Sequence, residues 1–178
     1  MKLDDIHHRL GIPAGHPRKA ATRSFEEPAE LVEVGPDVFG RPQRLAPEAA
    51  DAWREMVAAA AADGVELQLV SAFRSVERQA EVIAAKLAAG RTIDDVLTVN
   101  APPGHSEHHT GRAVDVTTPG CRELEEEFES TEAHRWLTRH AGRFGFRLSY
   151  PRGNAEGYVY EPWHWVFEPA ADGAVETT

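Results

Sequence analysis

The segment Ala113-Val114-Asp115-Val116-Thr117 alternates as a β-strand does, yet it sets a carboxylate at its centre. Alternation places Val114 and Val116 on one face and Asp115 on the other, beside Ala113 and Thr117. A carboxylate buried among small neighbours is costly unless a positive group meets it. The fold must therefore bring something cationic to that face, and a metal ion would serve. Two nearby stretches supply the remaining ligands. Asn100 to Thr110 must be loop, because Pro102, Pro103 and Gly104 leave no regular alternative. That loop carries His108, seven residues before Asp115. Farther on, Glu161-Pro162-Trp163-His164 offers a second imidazole and a second carboxylate.

His108, Asp115 and His164 make two imidazoles and one carboxylate, with a fourth position open. That is the donor set of a catalytic zinc site, since a structural site fills all four positions with protein ligands. Zinc lowers the pKa of bound water to about 7, and Glu161 is then free to act as its general base. One geometric demand follows. On an ideal strand, positions 161 and 164 point to opposite faces. Pro162 cannot donate to a ladder and permits a bend there, so the backbone is expected to kink at Glu161-Pro162 and turn both side chains to the metal.

The remaining elements frame this site. A helix begins near Pro47 and ends before Gly64, with Trp53, Met56, Val57 and Ala60 facing a core. Val65, Leu67 and Leu69 alternate as a strand that delivers Ser71-Ala72-Phe73-Arg74-Ser75 at its end. Ser75 caps a second helix striped by Val76, Ala80, Ile83 and Leu87, and a short helix runs from about Thr92 to Leu97. Leu124 to Phe128 reads as a solvated acidic helical face. Ser130 or Thr131 caps a helix with Ala133, Trp136, Leu137 and His140 on one side. Phe144, Phe146 and Leu148 lead into a strand, residues 151–157 form a hairpin loop, and the return strand spans Tyr158 to Phe167. Helices and strands mix without a repeating period, which points to an α+β fold: a small, mainly antiparallel sheet flanked by helices. Residues 1–45, rich in proline and glycine, read as an irregular arm packed on a catalytic domain over 46–168, with a flexible tail at 169–178. Leu31 to Val34 is the arm's candidate strand, and His7, His8 and His16 are expected to be solvated.

Bulk properties exclude several classes. A chain of 178 residues suits one domain with a real core. Its net charge of −10 disfavours a nucleic-acid surface, which needs a basic face, and an anionic membrane alike. The lone Cys121 rules out an internal disulfide and a thiolate-rich metal site. No stretch is long and apolar enough to span a bilayer, and the N-terminus has no apolar signal run.

Ser106-x-His108-x-x-Gly111-x-Ala113-x-Asp115, Glu161-x-x-His164 and Ser71-Ala72-Phe73-Arg74-Ser75 together resemble the zinc D-alanyl-D-alanine carboxypeptidases of the vancomycin-resistance type. That group also contains lysostaphin-like endopeptidases and the hedgehog amino-terminal signalling domain. The resemblance runs from about Leu67 to Phe167 and implies a hedgehog/D,D-peptidase-like fold. It implies one zinc ion on His108, Asp115 and His164, with Glu161 as catalytic acid/base and Arg74 as the electrophilic, substrate-orienting group. Ser71 and Ser106 would line the pocket for the substrate's terminal carboxylate, and Gln79 falls near the peptide site. Where relatives often have Tyr, this chain has His105, expected at the lip of the site. Trp163 and Trp165 are expected to pack beneath the metal, Tyr160 to form a pocket wall, and His109, His134 and His140 to pack or support ligands. The substrate implied is a peptidoglycan stem peptide, cleaved by a D,D-carboxypeptidase.

An L,D-carboxypeptidase or a peptidoglycan endopeptidase shares the same motifs. Two other classes compete. A non-haem iron oxygenase uses two His and one carboxylate, but it has no use for Glu161 beside His164. A non-catalytic zinc module for recognition would not need both Glu161 and Arg74. The expected location is cytoplasmic as the chain reads, or periplasmic or in the cell envelope if an export signal has been removed. The sequence leaves the oligomeric state open.

Overall fold

The computed structural model describes residues 2–168, so the tail expected at 169–178 lies outside the described residues. The chain runs α1 (Leu3–Arg9), α2 (Pro17–Ala21), β1 (Val32–Pro36), β2 (Pro42–Leu45), α3 (Pro47–Ala62), β3 (Gln68–Ser71), α4 (Val76–Ala88) and α5 (Ile93–Val99). A 3-10 turn at Glu107–Thr110 precedes β4 (Ala113–Thr117); then come α6 (Glu132–His140), β5 (Phe146–Leu148) and β6 (His164–Phe167). β1 and β2 form a separate hairpin, while the main sheet has the order β3-β4-β6-β5 with every pair antiparallel. This is the α+β architecture expected.

α3 and α6 cover one face of the main sheet. Ala49, Trp53, Met56 and Ala60 recur at spacings of four, three and four along α3 and are buried. α6 starts where the Thr131 hydroxyl accepts a hydrogen bond from the His134 amide at 3.1 Å, and it buries Ala133, Trp136 and Leu137. These residues meet Leu67, Leu69, Val114, Val116 and Trp165 in the main core. Trp136 Nε1 donates to Asp63 at 2.8 Å, tying the end of α3 to α6.

The arm is more regular than proline and glycine content suggests. Ile6, Leu10 and Ile12 pack on Ala80, Ile83, Val96 and Leu97 of α4 and α5, forming a second core that neither partner would bury alone. Burying a side chain such as Ile6 contributes about 1.5–3 kcal/mol. His7 and His16 are buried, against the expectation that they are solvated, because each is a tether: His7 Nε2 donates to the Pro103 carbonyl at 2.8 Å, and His16 caps α2 and meets Asp94 at 3.2 Å. His8 is exposed.

Two other expectations change. The return strand does not start at Tyr158; only His164–Phe167 pairs. Asn154 holds the preceding segment as a loop, its Oδ1 accepting from the Tyr158 amide at 3.0 Å and its Nδ2 donating to the Tyr158 carbonyl at 2.8 Å. The acidic stretch is a 3-10 turn, Glu126–Ser130, not an α-helical face. It buries Phe128 and presents Glu126 and Glu129 to Arg152 at 3.4 and 2.8 Å.

Gly111 joins the 3-10 turn to β4 with φ of 63°, in the left-handed region. A Cβ there would also sit 2.9 Å from the Ala46 amide nitrogen and 3.0 Å from a Leu31 methyl. Gly111→Ala is expected to destabilise the fold by about 1–3 kcal/mol, from strain and the close backbone contact together. Thermal or urea unfolding of the variant checks this; an unchanged midpoint would contradict it.

Candidate metal centre and substrate cleft

The site is built by strand register. Asp115 lies directly opposite His164 across β4 and β6, and opposite Ser71 across β4 and β3. The 3-10 turn adds His108 from above the sheet, and its carbonyl accepts from the Arg74 amide at 3.1 Å, which couples the Arg74 loop to the ligand. His108 Nε2 stands 3.1 Å from Asp115 Oδ2, and His164 Nδ1 stands 2.9 Å from Asp115 Oδ1. Ligand atoms from the three residues all lie within 4.8 Å of one another, and all three residues are buried. Donor atoms sharing a tetrahedral zinc ion at 2.0–2.1 Å would be separated by about 3.3 Å. The arrangement therefore fits a small divalent cation.

The other ring nitrogens fix which atoms are available. His108 Nδ1 is 2.6 Å from the Ala72 carbonyl, which can only accept, so Nδ1 donates and Nε2 is left for a metal. His164 Nε2 is 2.9 Å from Glu107 Oε2, so that nitrogen donates and Nδ1 is left. Glu107 is the functional residue that motif reading missed. It is 4% exposed, a burial that a surface carboxylate would not show. The sequence carries no signal for it beyond its place between Ser106 and His108, since a loop glutamate is ordinarily solvated.

Electrostatics follow from this packing. Burial by itself would raise the Asp115 pKa, but the two imidazoles outweigh it and hold the carboxyl ionised, well below its usual range. Burial likewise opposes ionisation of Glu107, yet the hydrogen bond and charge of His164 bring its pKa down to about 2. His164 is pulled the other way: burial disfavours its charge, and the hydrogen bonds to Asp115 and Glu107 overcome that and raise it. Glu161 differs from both carboxylates. Burial dominates and lifts its pKa to about 7.

The expected kink is present. His164 N donates to the Glu161 carbonyl at 3.1 Å, closing a turn over Pro162, and Glu161 Oε2 comes to 4.0 Å from His164 Nδ1. Both side chains open onto a cleft of about 360 Å³ lined also by Arg74, Gln79, Ser106, Tyr150 and Tyr158. Ser71, at the end of β3, is not among its lining residues, whereas Ser106 is. Trp165 packs in the core as expected, and Trp163 packs against that core too, but Trp163 also lines the cleft, because it lies in the turn before β6 where strand alternation does not hold. Tyr160 is not a wall residue; its ring stacks on the Arg152 guanidinium at 4.0 Å, and Tyr150 and Tyr158 take the wall position instead. His105 is buried and turned toward the arm, with Nδ1 3.1 Å from the Thr22 hydroxyl, so it is not a lip residue. His109 supports the site: Nδ1 donates to the Arg74 carbonyl at 2.6 Å and Nε2 accepts from the Gly104 amide at 3.1 Å. Burial lowers its pKa to about 4, consistent with that neutral ring.

Residues 42–170 match the VanY family of D-alanyl-D-alanine carboxypeptidases, a stretch that contains every residue of this site. The chain belongs to that family. It is 37% identical to the putative carboxypeptidase YodJ of Bacillus subtilis over 173 residues, covering 91% of this chain and 62% of the relative. The chain thus spans about three-fifths of that relative's length. Among solved structures it is similar to the LD-carboxypeptidase LdcB, with TM-score 0.72 and 32% identity, covering 86% of this chain and 78% of the other. It is also similar to the vancomycin-resistance D,D-pentapeptidase VanY solved in complex with Zn(II), with TM-score 0.61 and 31% identity over 82% and 84% of the two chains.

Within this VanY-family site, the Glu107–His164 hydrogen bond orients the ring of a candidate metal ligand. Glu107→Ala is expected to weaken divalent-metal binding about 10–100-fold, and Glu107→Gln, which can still accept, to weaken it less. Competition against a chromophoric chelator measures both. Equal affinities in all three chains would show that the carboxylate does not hold the ring.

Proposed function

We propose that the protein is a zinc carboxypeptidase that removes the terminal D-alanine from the D-Ala-D-Ala end of a peptidoglycan stem peptide. The observation that carries this reading is the convergence of His108, Asp115 and His164 on one point of a cleft that also receives Glu161 and Arg74. A recognition module has no need of a base at that point, nor a non-haem iron centre of a carboxylate with a raised pKa beside a ligand histidine.

His108 Nε2, His164 Nδ1 and an oxygen of Asp115 would hold the ion. When bound, zinc supplies a solvent molecule of lowered pKa and polarises the peptide carbonyl. Glu161 accepts the proton released as the water oxygen bonds to the carbonyl carbon. It then returns that proton to the nitrogen of the departing D-alanine as the C–N bond breaks. Arg74, whose Nε has no partner among the described residues, directs its donor fork at the carbonyl oxygen as charge develops there. Ser106 would receive the terminal carboxylate; Ser71, outside the cleft lining, would act through its position beside Asp115.

A second reading is L,D-cleavage, favoured by the likeness to LdcB. Incubation with penta- and tetrapeptide stems separates the two: D-alanine is expected from the pentapeptide, and release from the tetrapeptide alone would assign the L,D activity. No release from either would remove the carboxypeptidase reading. Glu161→Gln is expected to lower kcat about 10²–10⁴-fold while zinc stays bound. Because Glu161 must be ionised to accept a proton, kcat/KM is expected to fall as pH drops below about 7, with a bound cation moving that limb lower. A pH–rate profile lacking this limb would remove Glu161 from the role.

A further inference from the structure

The cleft contains a cation that the reaction described above does not use. Lys86 lies seven residues after Gln79 on α4, two helical turns farther along the same face, and both side chains line the cleft. Opposite them runs the segment Val99–Asn100–Ala101, and the two walls are stitched together. Gln79 Nε2 donates to the Ala101 carbonyl at 2.7 Å, and Lys86 Nζ donates to Asn100 Oδ1 at 3.0 Å. Asn100 is itself held, since its Nδ2 donates to the Val96 carbonyl at 2.8 Å. Lys86 is half-buried, and among the described residues no carboxylate comes within 4.0 Å of its ammonium. An ammonium has three donors, so two remain to be used.

Its place matters more than its lack of an ion pair: Lys86 lines the cleft, half-buried and tied to a neutral amide oxygen. Burial works against the charge of Lys86, and the neighbouring cations Arg91 and Arg74 add to that cost. An anion brought by a ligand would relieve both.

From this geometry we infer that Lys86 is a recognition residue for a carboxylate on the substrate, upstream of the scissile bond. The inference rests on the peptidase reading for the identity of the peptide, and on the cleft for the subsite. Position argues against the terminal carboxylate. That group follows the scissile bond by one residue, about 3.5 Å of chain. Two turns of helix carry the Lys86 backbone about 10 Å beyond Gln79 as α4 leads away from Arg74, the span of roughly three extended residues. Stem peptides offer two carboxylates at that range: the α-carboxylate of a γ-linked D-glutamate at residue 2, and the side-chain carboxylate of a diaminopimelate at residue 3. Either presents the same chemistry to an ammonium.

The test uses pentapeptide stems that differ in one group: diaminopimelate, its side-chain amide or lysine at residue 3, and free or amidated D-glutamate at residue 2. With the intact chain, masking the carboxylate that Lys86 reads is expected to lower kcat/KM roughly tenfold, through KM. In Lys86→Met the acid and the amide should become equal, and in Lys86→Glu their order should invert. Which amide is penalised identifies the source. The same ratios are measured as peptide affinities by calorimetry on the Glu161→Gln chain, which needs no turnover. A failure to release D-alanine would thus strike the peptidase reading while the affinities still decide this one. Equal affinity for acid and amide in the intact chain, a preference that survives in Lys86→Met, or a loss confined to the terminal carboxylate would overturn the assignment.

Discussion

The pairing of Asp115 with His164 across β4 and β6 is the constraint on which the rest of the structure depends. It is a matter of register. Along β4, Val114 and Val116 enter the core beneath α3 and α6, and Trp165 on β6 does the same opposite Val114. A slip of one residue would send Asp115 and His164 into that core and put Val114 and Trp165 at the cleft. The hydrophobic packing that stabilises the domain therefore also sets the spacing of the candidate metal ligands. The site needs no fastening of its own in the sheet, because the core on the opposite face supplies it.

The third ligand is held differently. His108 sits on a loop, and loops are fixed by hydrogen bonds where strands are fixed by ladders. Its ring is oriented by the Ala72 carbonyl and its backbone by the Arg74 amide. The neighbouring His109 bridges the Arg74 carbonyl to the Gly104 amide. From there the network reaches the arm: the Gly104 carbonyl accepts from Phe25 N at 2.8 Å, and His7 donates to the Pro103 carbonyl. The arm's helix α1 is thus packed on α4 and α5 on one side and bonded to the ligand loop on the other. Arg18 extends this bracing to the cleft wall. Its guanidinium donates to the Glu156 and Gly157 carbonyls at 3.0 and 2.8 Å and to the Thr98 carbonyl at 3.3 Å, and it lies 4.7 Å from the centre of the Tyr158 ring.

What could be read from the sequence follows the same division. The strand pattern around Asp115, the helix opened by Pro47 and the kink at Pro162 are local signals, and local physics sufficed for them. The convergence of His108, Asp115 and His164 was legible because three unusual residues had to meet one another. Residues defined by a distant partner were not legible. Glu107 looks like any loop glutamate until His164, 57 positions away, is seen to donate to it. His7 and His105 look solvated or exposed until Pro103 and Thr22 are placed beside them. Tyr160 was misplaced, and the cleft position of Trp163 missed, for a related reason: strand alternation was extended over a segment that Asn154 and the turn at Pro162 hold as loop.

The charges around the site explain why its carboxylates can differ so much over so short a distance. Asp115 stands 3.1 and 2.9 Å from ring nitrogens of His108 and His164, Glu107 accepts from His164, and both carboxyls are kept ionised despite burial. Glu161 has no such donor; at 4.0 Å from His164 it lies beyond hydrogen-bonding range, and desolvation governs it. Ionised together, the three carboxylates would be balanced by the two charges of a divalent cation and the one charge of Arg74, with His108 and His164 neutral. That balance is why a doubly charged ion suits this site better than a singly charged one. It also fits the roles proposed for the carboxylates. The two that stand against histidine nitrogens would be committed to holding the ion and its ligands, and a proton moved onto either would undo that. The one left unbonded can take up and return a proton without disturbing the ligands, which is what a general base in this position has to do.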